Sequence, residues 1–411
     1  MVIYRPHTDL EFPEFVLADS RAFGDYVDAD GSIWRADGHC STTMDYLKKS
    51  RPADNSVVAI DDGTIVGTSA WINSSISSPN GSLIECGLVC FVSVDVNHRR
   101  QGILTEMMKR LLLKLDKQPA PLVALWASEY NIYGRFGFGV ATEEEQISFN
   151  RLLVNLSDCN YVAKANFLDS AEVMDVAQSL WANNQCLRPG LPSLSEGMWG
   201  LYLHKSNLKK NKWSPSFYIK AEDEIGKTGL LAYRTCEGET NSLMIELLMS
   251  SSPSTEQALW KAVLSTDLYE NITVNHVTVD SPFWWMVDNP REITRQKNDA
   301  LWLRIINVES SLSSRLYKHD GELIILVEDK FLSKSGIYKL SVSNGTGNVS
   351  KVKGRPDISM DISHLSSLFL GGFSFYELWI SKKITATDPG KIKLADYIFG
   401  VTLKPWCPYE F

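Results

Sequence analysis

Leu88-Val89-Cys90-Phe91-Val92-Ser93-Val94 leads, through Asp95 and Val96, into Asn97-His98-Arg99-Arg100-Gln101-Gly102-Ile103-Leu104. The first heptad is rich in the β-branched and aromatic residues that suit a pleated, half-buried surface, and it predicts the end of a strand running from Leu83 to Val94. Past the turn, Ile103, Leu104, Met107, Met108, Leu111, Leu112 and Leu115 recur with helical period while charged residues fill much of the other face. That pattern predicts an amphipathic helix over Gly102 to Lys117. The N-terminal unit is therefore mixed α/β. A helix N-terminus presents unpaired backbone N–H groups and the positive end of a dipole, and a glycine there lets the main chain approach a ligand. The turn suits an anion such as a pyrophosphate, and Arg99 and Arg100 strengthen it. Taken alone, the same turn also reads as a surface bend with two solvated arginines.

Working outward, Ser56 to Trp71 places two apolar runs around Asp61-Asp62-Gly63, a hairpin signal. Leu122 to Ala127 predicts a short strand, a further strand begins at Ala141, and the unit closes near residue 150. From Tyr161 the order partly repeats: a helix through Leu180-Trp181, a hairpin over Phe217 to Arg234, a strand at Leu243 to Met249, a helix over Ser254 to Leu264 and a strand at Ile272 to Val279. Two domains of like topology are expected. A third region begins near Leu301, with strands at Leu323 to Val327, Ile337 to Val342 and Val349 to Val352 and a helical stretch at Ile362 to Leu370. No low-complexity linker separates the three, so packed domains are expected.

A length of 411 residues fits two or three domains, and 44% hydrophobic with 22% charged residues is ordinary for a globular protein. Lys plus Arg number 41 against 49 Asp plus Glu, a formal charge of -8 that argues against a nucleic-acid partner and favours small polycations. No apolar run reaches the length of about 20 residues that a membrane span needs. The start, Met1-Val2-Ile3-Tyr4-Arg5, lacks a signal pattern, so a soluble, cytoplasmic protein is expected. Seven scattered cysteines (Cys40, Cys86, Cys90, Cys159, Cys186, Cys236, Cys407) form no C-x-x-C pair, and neither a disulfide framework nor a metal site is expected. No P-loop, G-x-S-x-G elbow or dinucleotide glycine fingerprint is present.

The turn resembles the acetyl-coenzyme A motif of the GCN5-related N-acetyltransferases, R/Q-x-x-G-x-G/A between the fourth strand and third helix, and departs from it only at Leu104. The string Ala127-Ser128-Glu129-Tyr130-Asn131-Ile132-Tyr133-Gly134-Arg135-Phe136-Gly137-Phe138-Gly139, with Leu301 to Val308 and the ending Tyr409-Glu410-Phe411, is similar to the enhanced intracellular survival family of these acetyltransferases over essentially the full length. The resemblance implies a catalytic acetyltransferase domain at 1–150, a degenerate acetyltransferase-like domain at 151–298, and a sterol-carrier-protein-like α+β domain at 299–411 whose C-terminus enters the active site. It implies acetyl-coenzyme A as cosubstrate with no metal, an aminoglycoside-like polyamine as acceptor, and a homo-hexamer. Leu248 to Ser254 occupies the middle domain's counterpart of the turn but has neither arginine nor glycine, which makes that domain scaffold.

On that resemblance Tyr133 is the proton donor, with Tyr130 its nearby competitor, and the Phe411 α-carboxylate is a weak base or an orienting group. The cofactor falls to Val92, Ser93, Val94, Arg99, Arg100, Gln101, Gly102, Ile103, Leu104, Thr105, Ser128 and Glu129. Val92 and Val94 offer strand-edge pairing, and Val92 N–H faces the thioester carbonyl. The acceptor falls to Asp25, Tyr26, Trp34, Phe91 and Glu410. Asp28 and Asp30 read equally as pocket or solvated acids, and His98 as a structural neighbour of the phosphates. Acetylation of protein lysines and a non-catalytic binding or lipid-carrier role are the alternatives.

Overall fold

The computed structural model describes residues 1–28, 31–34, 40–43, 47–48, 53–157, 162–207, 213–238 and 241–411, the side chains of 40–43 and 204–207 apart. Asp30 lies outside the described residues. Leu83–Val94 forms a strand in the middle of a seven-stranded sheet. The sheet's order is Ile3–Arg5, Val58–Asp61, Thr64–Ser77, Leu83–Val94, Leu122–Trp126, Leu301–Ile305 and Gly139–Val140. Its two faces are separately covered, because side chains alternate along a strand. Leu88 and Cys90 join the core beneath the helix Phe12–Phe23, whereas Val89 joins the one built on the helix Ile103–Leu115. That second helix buries Ile103, Met107, Met108, Leu111, Leu112 and Leu115, and its outer face carries Glu106 and Arg110, paired at 2.6 Å.

The second sheet repeats the plan. Its order is Ala163–Phe167, Phe217–Asp223, Thr228–Cys236, Ser242–Ser250, Asn271–Thr278, Glu143–Asn150 and Thr294–Asp299. In each sheet one parallel pair stands among antiparallel ones: Cys86–Val89 beside Leu122–Leu125, and Ser242–Ile245 beside Asn271–Val274. A five-stranded sheet, Thr346–Lys351, Gly336–Ser343, Gly321–Glu328, Ile358–Asp361 and Thr385–Ala386, builds the third unit. Among the described residues no helix is long and apolar enough to cross a membrane.

The first two sheets exchange strands across the divisions expected at residues 150 and 298. Glu143–Asn150 leaves the first unit to pair with Asn271–Thr278 and Thr294–Asp299. Leu301–Ile305, expected to open the third region, returns to pair with Leu122–Trp126 in the first sheet. The crossing is stitched by Ala141 N–H to Leu301 O at 2.8 Å and Leu301 N–H to Thr142 Oγ1 at 2.9 Å. Local pattern marks these segments as strands; the sheet each one joins depends on tertiary packing, which the pattern does not encode.

Arg304 of the returning strand is fully buried and donates to Asp329 at 2.8 Å, tying the first sheet to the third unit. Removing one partner leaves an uncompensated buried charge. Asp329→Ala is accordingly expected to lower the unfolding free energy by about 3 to 5 kcal/mol, read from the denaturant midpoint. A midpoint shift worth less than about 1 kcal/mol would show that this pair does not hold the units together.

Candidate functional site

The turn after Leu83–Val94 is held from its own start. Asp95 accepts Asn97 N–H at 2.9 Å and lies 3.2 Å from His98 Nδ1. These contacts, the Asn97 N–H first, keep the Asp95 carboxyl below its ordinary pKa. Arg100 (φ 63°) and Gly102 (φ 83°) are both left-handed. Left-handed residues set among right-handed or extended ones turn successive N–H groups into one concavity, an anion nest. A Cβ on Gly102 would meet nothing within 4 Å, so the glycine is needed for its φ and not for space. Arg99 is pinned to the scaffold, its Nε on Val94 O at 3.2 Å and Nη2 on Ala22 O at 3.1 Å.

Upstream, the strand carries a bulge. Its partners on Thr64–Ser77 step from Ser93 opposite Thr68 to Cys90 opposite Ala70, and Phe91 takes φ 54°. An extra residue bends a strand and re-aims its side chains. The parallel ladder ends at Val89 and Leu125, beyond which the two strands part. Two cavities fill the opening. One, of about 640 Å³, is lined by residues including Val92, Ser93, Val94, Arg99, Arg100, Gly102 to Thr105, Ser128 and Glu129, with His98 and Arg135 beside them. The other, of about 560 Å³, is lined by Asp19, Asp25, Cys90, Phe91, Trp126, Glu410 and Phe411 among others. Phe23, Val92, Ser128 and Tyr133 line both.

Tyr133 thus stands where the two spaces meet. It ends the short helix Tyr130–Tyr133, is 4% exposed, and packs edge-on against Phe138 with ring centroids 6.1 Å apart. Burial pushes its hydroxyl up to about 12; Ser128 hydrogen bonding pulls the other way, and the Asp19 and Glu129 charges add to the rise. Tyr130 is the contrasting case: 64% exposed, set against Trp302 at 5.1 Å, and absent from the lining of both cavities.

The sequence-derived residues divide by location. Asp25, Phe91, Glu410 and Phe411 meet at the acidic cavity. Tyr26 and Trp34 do not line it: they stack on each other at 6.3 Å and 9° across the register of a separate three-stranded sheet, Tyr26–Val27, Ser32–Trp34 and Cys40–Thr43. Gln101 does not line the 640 Å³ cavity; its side chain folds back to donate to Asn97 O at 3.2 Å. Asp28 is exposed and lines neither space. Asp19 and Trp126 were not legible as site residues. Asp19 follows the buried Phe15 and Val16 on Phe12–Phe23 and precedes Phe23 by four residues, so helical register was the available signal. Trp126 simply ends a strand.

In the second sheet the counterpart turn is closed. Ser252 caps Pro253–Leu264 through Thr255 N–H at 3.3 Å, and the residue at the first helical position is a proline, which has no N–H to give. Among the described residues none of 248–254 is left-handed. The opening beside it, about 160 Å³, is walled partly by Leu403 and Trp406.

Three family models match successive stretches of the chain. The family model of the acetyltransferase (GNAT) domain matches residues 3–141, a second acetyltransferase (GNAT) domain model matches 195–305, and the sterol carrier protein domain matches 308–408. An uncharacterized N-acetyltransferase of Streptomyces avermitilis is 25% identical over 401 residues, 95% of each chain. N-acetyltransferase Eis of Mycobacterium tuberculosis is 24% identical over 418 residues, 98% of each. Among solved structures, Eis1 from Mycobacterium abscessus superposes with TM-score 0.82 at 23% identity, and a GCN5-related N-acetyltransferase from Anabaena variabilis with 0.82 at 18%, each covering 100% of both chains.

Proposed function

The chain belongs to the enhanced intracellular survival family of GCN5-related N-acetyltransferases, and on that premise we propose that it transfers the acetyl group of acetyl-coenzyme A to amines of an aminoglycoside-like polyamine. The observation that carries the reading is the pair of unlike cavities joined at Tyr133. The residues of the first suit the cofactor. Arg100 and Gly102 form a nest for a diphosphate, and Val92 to Val94 present a strand edge along the way to Tyr133. The second suits a polycation. Asp19, Asp25 and Glu410 line it with Phe91 and Trp126, and among the described residues no Lys, Arg or His does. Carboxylates give charge-assisted bonds to ammonium groups, and aromatic faces hold sugar or cation.

Acetyl-coenzyme A, when bound, supplies an acetyl group activated as a thioester. The protein's part is placement and protons. Val92 lines both spaces, and its main-chain N–H is the donor for the thioester carbonyl. Tyr133 holds the proton for the sulfur. With its hydroxyl at about 12 against about 8.5 for an ordinary thiol, that transfer is uphill by about 3.5 units, or roughly 5 kcal/mol, in water. The burial that raises Tyr133 also raises a thiolate beside it, so the gap inside the cavity is smaller. Asp19, Asp25 and Glu410 orient the amine, and the Phe411 α-carboxylate receives its proton as the nitrogen becomes acidic during attack.

Thiol release from acetyl-coenzyme A with a panel of aminoglycosides, linear polyamines and lysine peptides tests the reading. Turnover with the polycationic amines supports it, and turnover with lysine peptides alone moves the acceptor to proteins. The pH profile has a fixed sign. Tyr133 is needed protonated and stays so until about 12, so kcat/KM rises as the amine deprotonates and holds level through roughly pH 10. A fall between about pH 8 and 10 would assign the acid role to another group.

A further inference from the structure

The last eleven residues, 401–411, belong to no strand or helix, yet Trp406, Cys407 and Tyr409 are buried. A buried main-chain carbonyl outside any ladder needs a partner supplied by a side chain or a neighbouring loop. For Tyr409 O that partner is Trp126, whose indole Nε1 donates at 2.9 Å, with the Cys407 thiol donating at 3.4 Å. Trp126 ends the strand Leu122–Trp126, and its ring also lines the acidic cavity. The residues on either side of this bond are in place: Tyr409 lies edge-on to Tyr202 at 5.3 Å, and Phe411 stacks on Tyr409 at 6.3 Å.

A second indole bond runs the other way. Trp406 Nε1 donates to His276 O at 2.8 Å, and the His276 ring meets Trp126 edge-on at 6.2 Å while its Nδ1 lies 2.8 Å from Glu144 Oε2. The tail is thereby clasped between the two large sheets, and only the Trp126 end of the clasp opens onto the acidic cavity that Glu410 and Phe411 line.

We propose that Trp126 is the positioning residue that fixes the segment 409–411 at the acceptor cavity, through its N–H bond to the Tyr409 carbonyl. The proposal rests on the acetyltransferase reading for its kinetic consequence, but not for the anchoring itself. Losing the indole donor removes the 2.9 Å N–H bond to the Tyr409 carbonyl, and the tail then samples positions in which Glu410 no longer faces the amine. A shift of about 1 Å at such a site costs up to roughly 100-fold in rate.

Two measurements test it. By hydrogen exchange, Trp126→Phe, which keeps an aromatic ring, is expected to speed exchange in peptides covering 405–411 and to leave the helix Ile103–Leu115 unchanged. Trp126→His, which restores a ring N–H, is expected to recover part of the protection. By kinetics, Trp126→Phe should raise the KM of the amine on the order of 10-fold, with the KM of acetyl-coenzyme A unchanged. Glu410→Gln should weaken the amine similarly in the parent protein and by less than about 2-fold in Trp126→Phe, because both act through one segment. Unchanged tail exchange, or fully additive effects of the two substitutions, overturns the proposal. If no amine is acetylated by the parent enzyme, the acetyltransferase reading fails, and hydrogen exchange alone decides whether Trp126 anchors the tail.

Discussion

Tyr133→Phe is expected to lower kcat by about 100-fold to 10,000-fold, the usual worth of a positioned general acid, while the Kd for acetyl-coenzyme A changes little. The substitution removes one oxygen and keeps the ring, so the packing against Phe138 and the 4% exposure of the site are preserved. The asymmetry between kcat and cofactor affinity is the informative part. An interaction made only while the sulfur departs lowers kcat and kcat/KM together. Steady-state kinetics with acetyl-coenzyme A and one accepted amine reads both. A loss confined to KM would make Tyr133 a packing residue, and its hydroxyl's rise to about 12 a mere consequence of burial.

Gly102→Val is expected to act on the other quantity. At φ 83° a β-branched residue is a steric outlier, and holding it there costs of order 1 to 3 kcal/mol. The turn escapes that cost by relaxing, which disperses the N–H groups that the left-handed Arg100 and Gly102 bring together. The expected loss of acetyl-coenzyme A affinity is about 5-fold to 150-fold, the equivalent of that strain. Because a Cβ at Gly102 meets nothing within 4 Å, the loss would follow from backbone conformation and not from a clash. Retained affinity would place the diphosphate away from this turn.

The sequence made some layers of this structure readable and hid others for definite reasons. The strand Leu83–Val94 and the helix Ile103–Leu115 follow from period alone, since each buries one face against a core. The bend before that helix was legible because a glycine at its start, Gly102, marks a left-handed backbone position. Strand exchange was not, since Glu143–Asn150 and Leu301–Ile305 carry the same local signal whichever sheet receives them. At the site, Tyr26 and Trp34 suited an aromatic pocket by residue type, but their antiparallel register makes them partners of each other. Asp19 was hidden because its role depends on which face of Phe12–Phe23 meets the bulge at Phe91, and Trp126 because its partner, Tyr409, is 283 residues away in the chain.

Calorimetric titration of the parent protein and Gly102→Val with acetyl-coenzyme A bears most directly on the central claim, that the Arg99 to Gly102 turn holds the cofactor with its acyl end at Tyr133. The parent is expected to bind at one site per chain, and the variant to show a Kd raised by at least about 5-fold with the fold's melting midpoint little changed. Absence of binding by the parent protein, or equal affinity in both, would contradict it.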